Sequence, residues 1–270
     1  INVVTGNRQG TIWAREFKTM QDYTKFLNWR GEFTKVNKEA HYRAESVLHE
    51  LMETDLSDNY RYGILGWQLM QKLLLGLSDD KEADMKQLKA LIEKASRDRE
   101  LEEVLSLKAW AGLTIFKEPC ENVLGYIDRA IQIGGSADTV AGAATMYGNC
   151  GNLEKAIEFQ KKALVLTPTD VGWRRTSSLI GLLHTADRSG EIWSLMNDKI
   201  NSPDMNGHIL LYFAFLEHIK GNLDDAISYL DRAREAGFSM NYFKTIFNIK
   251  SENDRVLQSL SQLGLDLDST

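Results

Sequence analysis

Proline is nearly absent from this sequence. Three prolines and twenty glycines in 270 residues exclude long linkers and a turn-rich all-β fold. Cysteine is as scarce. The two present, Cys120 and Cys150, fit a reduced, cytoplasmic compartment in which each is a buried thiol at a helix end, and a single disulfide between them is the open alternative. Long apolar runs are also missing. The longest, 209–216, is interrupted by Glu217 and His218 and falls short of the ~20 residues that a spanning helix needs, so no membrane partner is expected. Positive charge is in deficit: 32 Lys and Arg against 38 Asp and Glu leave a net −6, with no basic stripe, which argues against nucleic acid. There is no Gly-rich phosphate loop, no His-Glu-x-x-His and no Cys-x-x-Cys, so no catalytic residue, metal ligand or cofactor is expected.

What remains is a chain 43% apolar and 26% charged, the balance of a soluble globular protein. Its organising stretch is Gly151-Asn152-Leu153-Glu154-Lys155-Ala156-Ile157, which recurs as Gly221-Asn222-Leu223-Asp224-Asp225-Ala226-Ile227. The offset of 70 is twice the 35 residues of one helix-turn-helix unit and points to an array of repeats. The 3.6-residue apolar period begins near Thr19, with Tyr23, Phe26, Leu27 and Phe33 on one face. Asn37, Ser57 and Asp79-Asp80 mark helix starts. Later helices are predicted over 101–116, 120–133, 137–150, 153–166, 173–185, 191–200, 207–220, 223–236, 241–249 and 254–263. The fold class is therefore all-α, as about fourteen helices in about seven antiparallel hairpins. Residues 1–19 are the least periodic and read as a junction with an upstream domain, with a short capping helix near 8–17. Residues 20–266 form the array and 267–270 a disordered tail. The start at Ile1, without a basic-then-apolar leader, reads as a piece of a longer protein.

Aligning the units on their second alanine gives Ala130, Ala163 and Ala233, and nineteen residues before each stands Ala111, Ala144 or Ala214. Small residues at these points let two helices approach closely, with larger neighbours filling the grooves beside them. Gly151 and Gly221 suit the left-handed residue that closes a helix, and the Asn after each suits the next N-cap.

The pattern Ala-x-x-x-Tyr-x-x-x-Gly-Asn-x-x-x-Ala-x-x-x-x-x-x-Ala-x-x-x-x-Pro, from Ala143 to Pro168, resembles the tetratricopeptide repeat (TPR). Gln160 replaces the usual aromatic there. The 207–238 unit departs further, with Glu217 for Tyr and Phe238 for Pro. Asp22–Arg30, Phe33–Glu39 and Tyr62–Trp67 resemble the TPR region at the C-terminus of bacterial class III adenylate/guanylate cyclases, which there follows a TolB-like domain. The same kind of region follows winged-helix domains in some bacterial regulators. The resemblance implies a right-handed superhelix and a non-catalytic interaction scaffold, the regulatory region of a cytoplasmic signalling protein. The alternative is a helical ligand-sensing region of a transcriptional regulator.

In the register of that repeat, the concave groove is lined by Lys108, Gly112, Ala141, Thr145, Asn149, Ile180, His184, Leu211, Phe215 and His218. This mixed, weakly polar set suits a protein or peptide partner with apolar anchors better than an acidic C-terminus. Trp173, Arg174 and Arg175, after a longer connection, form a second candidate for an acidic peptide or nucleotide base, against a packing role at the start of the next helix. The other tryptophans are expected in the core, and His41 and His49 are too few for a metal site. The apolar terminal unit (Tyr242, Phe243, Ile246, Phe247, Ile249) is either covered by 254–263 or pairs with a second copy of the chain.

Overall fold

The computed structural model describes residues 16–35, 37–167, 173–196, 199–202, 205–238, 240, 243–244 and 254–267. The expected capping helix near 8–17, the closing Pro168 and most of the terminal apolar set lie outside them. Among the described residues there is no β-strand, so the fold is all-α. The helices are α1 (Met20–Phe33), α2 (Lys38–Met52), α3 (Asp58–Leu74), α4 (Lys81–Ala95), α5 (Glu102–Ala111), α6 (Cys120–Ile133), α7 (Ala137–Asn149), α8 (Leu153–Val165), α9 (Arg174–Thr185), α10 (Ser189–Met196), α11 (Gly207–Lys220), α12 (Leu223–Ala236) and α13 (Arg255–Gln262).

The starts follow side-chain chemistry. Asn37 accepts from the Ala40 amide at 2.9 Å and Asp80 from the Ala83 amide at 3.0 Å, each satisfying one of the donors that a helix leaves free in its first turn. Ser57 precedes α3 but makes no side-chain cap. The predicted 101–116 helix changes character part-way: after Ala111 the chain forms a π-helical turn, Gly112–Phe116, ended by left-handed Lys117. Thr114 Oγ1 bonds the Trp110 carbonyl at 2.7 Å, where a regular helix would receive its own amide.

The chain forms two compact units, Ile1–Asn152 and Leu153–Thr270. The division falls inside the Gly151–Ala163 element, so α7 and α8 belong to different units. In the first unit α1 packs on α2, α3 on α4 and α5 on α6, while α5 also lies against α3 and α7. Its core holds Phe26, Trp29, Leu51 and Ile64 at one end and Leu88, Leu107 and Ala111 further along. In the second, α8 packs on α9, α9 on α10, α11 on α12 and α13 on α11. The core there centres on α11, ten of whose fourteen residues are buried.

The alanines predicted at helix contacts are buried: Ala111, Ala130, Ala144, Ala156, Ala163, Ala214, Ala226 and Ala233 are each at most 1% exposed. Gly207 permits a closer approach still. A Cβ there would stand 2.3 Å from the Gly237 carbonyl oxygen, so only glycine lets α11 begin against the end of α12. Gly151 (φ 84°) and Gly221 (φ 86°) adopt the predicted left-handed conformation. The amide of Asn222 then reaches back to the Glu217 carbonyl at 3.0 Å, and that of Asn152 to the Tyr147 carbonyl at 2.8 Å. The expected N-cap role of Asn222 is corrected: it makes no side-chain cap to α12, because its Nδ2 donates to Glu217 Oε2 at 2.6 Å instead. Glu217, the acid in the place of the usual tyrosine, thus ties down the turn.

Ala226 is fully enclosed where α12 meets α11, so Ala226→Leu should overpack that contact and cost about 1–3 kcal/mol. Urea unfolding of the variant beside the parent measures it, and an unchanged midpoint would remove Ala226 from the contact.

Candidate functional site

In the first unit, the groove-register residues stay accessible. Ala141, Thr145 and Asn149 follow one another at four-residue intervals on α7, and Lys108 lies on α5, which packs beside it. Thr145 Oγ1 donates to the Ala141 carbonyl at 3.4 Å and Asn149 Nδ2 to the Thr145 carbonyl at 2.9 Å, so the polar groups run in a ladder along the helix. Asn149 is exposed, and Ala141, Thr145 and Lys108 are partly so. The Lys108 ammonium sits 4.2 Å from the centroid of the Tyr126 ring, a cation–π contact that draws it toward α6. Gly112, by contrast, is buried.

In the second unit the expectation needs correction. Ile180, Leu211 and Phe215 are buried, at 0, 0 and 4% exposure, and cannot line an open groove. All three belong to one core cluster, to which α13, packed on α11, adds Val256, Leu257 and Leu260. His184 and His218 are partly buried and engaged within the chain. His184 Nδ1 shares a 2.8 Å hydrogen bond with the Tyr212 hydroxyl and stands edge-on to the Phe215 ring. Burial holds the His184 imidazole below its ordinary pKa, opposed by Asp254 and Asp187. His218 Nδ1 lies 2.6 Å from Ser259 Oγ of α13.

Trp173 precedes α9 in the left-handed conformation, φ 57°, and its ring packs against the core of the second unit. Arg175 is partly buried, and its backbone carbonyl accepts from Gln160 Nε2 at 2.9 Å. The Arg174 side chain lies outside the described residues, so of the proposed trio only Trp173 and Arg175 are described, both partly buried. Trp29 is buried, and Trp67, Trp110 and Trp193 are partly buried against the cores, as expected; Trp13 is outside the described residues.

The cysteine expectation is also corrected. Cys120 and Cys150 form a disulfide, Cα–Cα 5.7 Å, with Cys120 exposed and Cys150 partly so. It joins the first residue of α6 to the residue that closes α7. Two antiparallel helices of nearly equal length bring those positions together, so hairpin geometry held the signal that the compartment argument overrode.

Buried polar groups in the first unit are mostly paired. His41 Nδ1 lies 3.0 Å from Gln71 Oε1 and 3.2 Å from Gln68 Nε2, and Gln71 Nε2 donates to the Phe33 carbonyl at 2.6 Å. Gln68 accepts from the Trp29 indole at 3.0 Å and donates to the His41 carbonyl at 3.2 Å. His49 is exposed and takes no part. Among the described residues no group of three or more His, Cys, Asp or Glu could hold a metal ion, and no helix is long and apolar enough to cross a membrane.

One carboxyl is different. Glu103 Oε1 is buried with no hydrogen-bond partner among the described residues. Burial pushes its pKa up to about 7, with Glu102 and Glu16 adding to the rise and a bond to its own backbone and the Arg30 charge opposing it. A perturbed acid is a candidate functional group, and its burial also makes stability depend on its protonation.

No protein-family model matches the chain, and no curated protein matches it.

A carboxyl whose folded pKa lies above its unfolded one favours folding while protonated. Stability from Glu103 should therefore fall as pH rises from about 4.5 through 7. Glu103→Gln should leave stability nearly unchanged at pH 5 and raise it by roughly 1–3 kcal/mol at pH 8. Parallel urea titrations at the two pH values check this, and an equal effect at both would refute it.

Proposed function

We propose that this chain is a non-catalytic protein-interaction scaffold of TPR-like helical hairpins, whose partner is a peptide or helix lying along α5 and α7. The observation that carries the reading is the surviving strip of Lys108, Ala141, Thr145 and Asn149, accessible and mixed in polarity on two helices that pack side by side. It offers one cation, a hydroxyl and an amide between small side chains, a surface that takes apolar anchors and fixes their register by hydrogen bonds. The α1–α2 groove, lined by Leu27, Gly31 and Val47, is open to solvent and bridged by Glu32 to Lys35 and Arg43, which favours it less as a small-molecule site.

On the resemblance, the scaffold forms the C-terminal regulatory region of a bacterial signalling protein of the adenylate/guanylate cyclase type, joined to an upstream domain. A homodimer through the terminal repeat is the less favoured assembly: Phe243 of that set is fully buried with Leu257 and Leu260, while Tyr242, Ile246, Phe247 and Ile249 lie outside the described residues. The Cys120–Cys150 bond removes the ground for a cytoplasmic placement and favours an oxidising compartment.

A photo-crosslinking residue placed at Asn149, and separately at Lys108, should capture the same protein in the source cells, whereas one at exposed Glu121 should not. Binding of that protein, once purified, should weaken at least ten-fold for Thr145→Arg; an affinity unaffected by both Thr145→Arg and Asn149→Arg would remove the strip from the interface. For the compartment, chain isolated from its cells without reductant should take up no thiol reagent. Reduction should then lower its stability by about 3–4 kcal/mol, the loop-closure estimate for this cross-link. Two reactive thiols in the untreated chain would return it to a reducing compartment.

A further inference from the structure

α13, the last described helix, lies against α11, the first helix of its pair. It thereby covers the side on which the repeat register places His184, Phe215 and His218. It is held there at its start and at its middle. Ser259 Oγ bonds His218 at 2.6 Å, and Asp254, the N-cap, lies close enough to act on the His184 charge. After the helix, the Gly264 carbonyl accepts from Arg234 of α12 at 3.1 Å.

α13 is also a two-turn helix, and so short a segment has little helical stability in water without a surface beneath it. Its inner face is Val256, Leu257 and Leu260, with Ser259 between them, and Arg255, Gln258 and Gln262 remain exposed. This is the form of a helix-in-groove ligand: apolar anchors at successive turns, a small polar group fixing register, and a polar back.

We propose that the α9–α11 face is a docking surface for an amphipathic helix and that α13 is the chain's own occupant of it. A partner presenting the same pattern — branched apolar residues at i, i+1 and i+4, a hydroxyl at i+3 and an acid two residues ahead — binds by displacing α13. The inference rests on the reading of the chain as a helix-binding scaffold. It differs from the α5–α7 strip in site and in having an internal competitor. Because that competitor is tethered, its effective concentration is high, on the order of millimolar, and a weak partner in trans is excluded until it exceeds that level.

Hydrogen exchange on the full chain without a partner gives the first test. Amides of 258–262 should exchange through local opening at least 100-fold faster than those of 211–217 in α11. Exchange of both segments in a single event would make α13 an ordinary core helix and overturn the proposal. The second test uses a synthetic peptide of residues 254–267. It should bind the double variant Leu257→Asp, Leu260→Asp at least ten-fold more tightly than it binds the parent chain. Failure to bind a folded variant would overturn the proposal, as would loss of cooperative unfolding of the second unit in that variant. Both measurements leave the α5–α7 strip untouched. A failed capture there with success here would sink the strip alone, and the reverse result would sink only the displaceable α13.

Discussion

Two helices can lie only as close as the side chains between them permit, and the remainder of this molecule follows from how that distance is set. Alanine at the crossing points lets the axes approach to about 8–10 Å, and the groups beside each alanine then become the walls of the groove. Gly207 is the limiting case, since even a methyl group would collide with the Gly237 carbonyl. The turn that precedes such a contact is fixed as firmly. Gly221 takes a conformation costly for other residues, and the Asn222 amide closes the end of α11 on Glu217. Once contact and turn are specified, the face each helix turns outward is no longer free to vary. Function is confined to what is left.

The helices were legible because their signals are local. The bounds Cys120–Ile133, Gly207–Lys220 and Leu223–Ala236 come from apolar period, capping residues and glycine stops, each readable within one turn of the element. The accessible strip on α7 was readable for the same reason, as Ala141, Thr145 and Asn149 are spaced by one helical turn. What could not be read is what comes from far along the chain. Nothing near Phe215 says that α13 will cover it. Nothing near His41 says that Gln68 and Gln71, some thirty residues on, will take up its polar atoms. The π-helical turn at Gly112 lies between these cases: Thr114 and Pro119 mark an irregular end without specifying its form. The disulfide was readable from the hairpin geometry, but the compartment argument favoured two buried thiols and left the bond as the alternative.

The buried polar groups divide by whether they are completed. In the His41 set, the Trp29 indole, the His41 ring and the Gln68 and Gln71 amides link α1, α2 and α3 by directional bonds and hold them in a single register. An apolar contact would tolerate sliding by a fraction of a turn, whereas this one does not. Glu102 and Glu103 are the counterexample. Glu102 spends one oxygen on the Ser136 amide at 2.7 Å and buries the other without a partner, and Glu103 buries Oε1 likewise. The two adjacent acids directly precede Val104, and their burial accompanies that of Val104 and Leu107 in the core.

The repeated Gly-Asn-Leu-acid-x-Ala-Ile element shows where such local rules stop. Within the second unit the Leu153–Ile157 copy and the Leu223–Ile227 copy are both helical and both bury their alanine. Ile157 is nevertheless 2% exposed and Ile227 47%. The chemistry of the two copies is alike, so the difference lies in what packs outside them. α9 supplies Leu179 and Leu183 to the cluster that holds Ile157, whereas Leu223 and Ile227 of α12 stay exposed. The element therefore fixes a turn and an inner contact and is silent about its outer face. Whether that outer face becomes core or surface is settled by what packs against it, which is α9 over the first copy and solvent over the second.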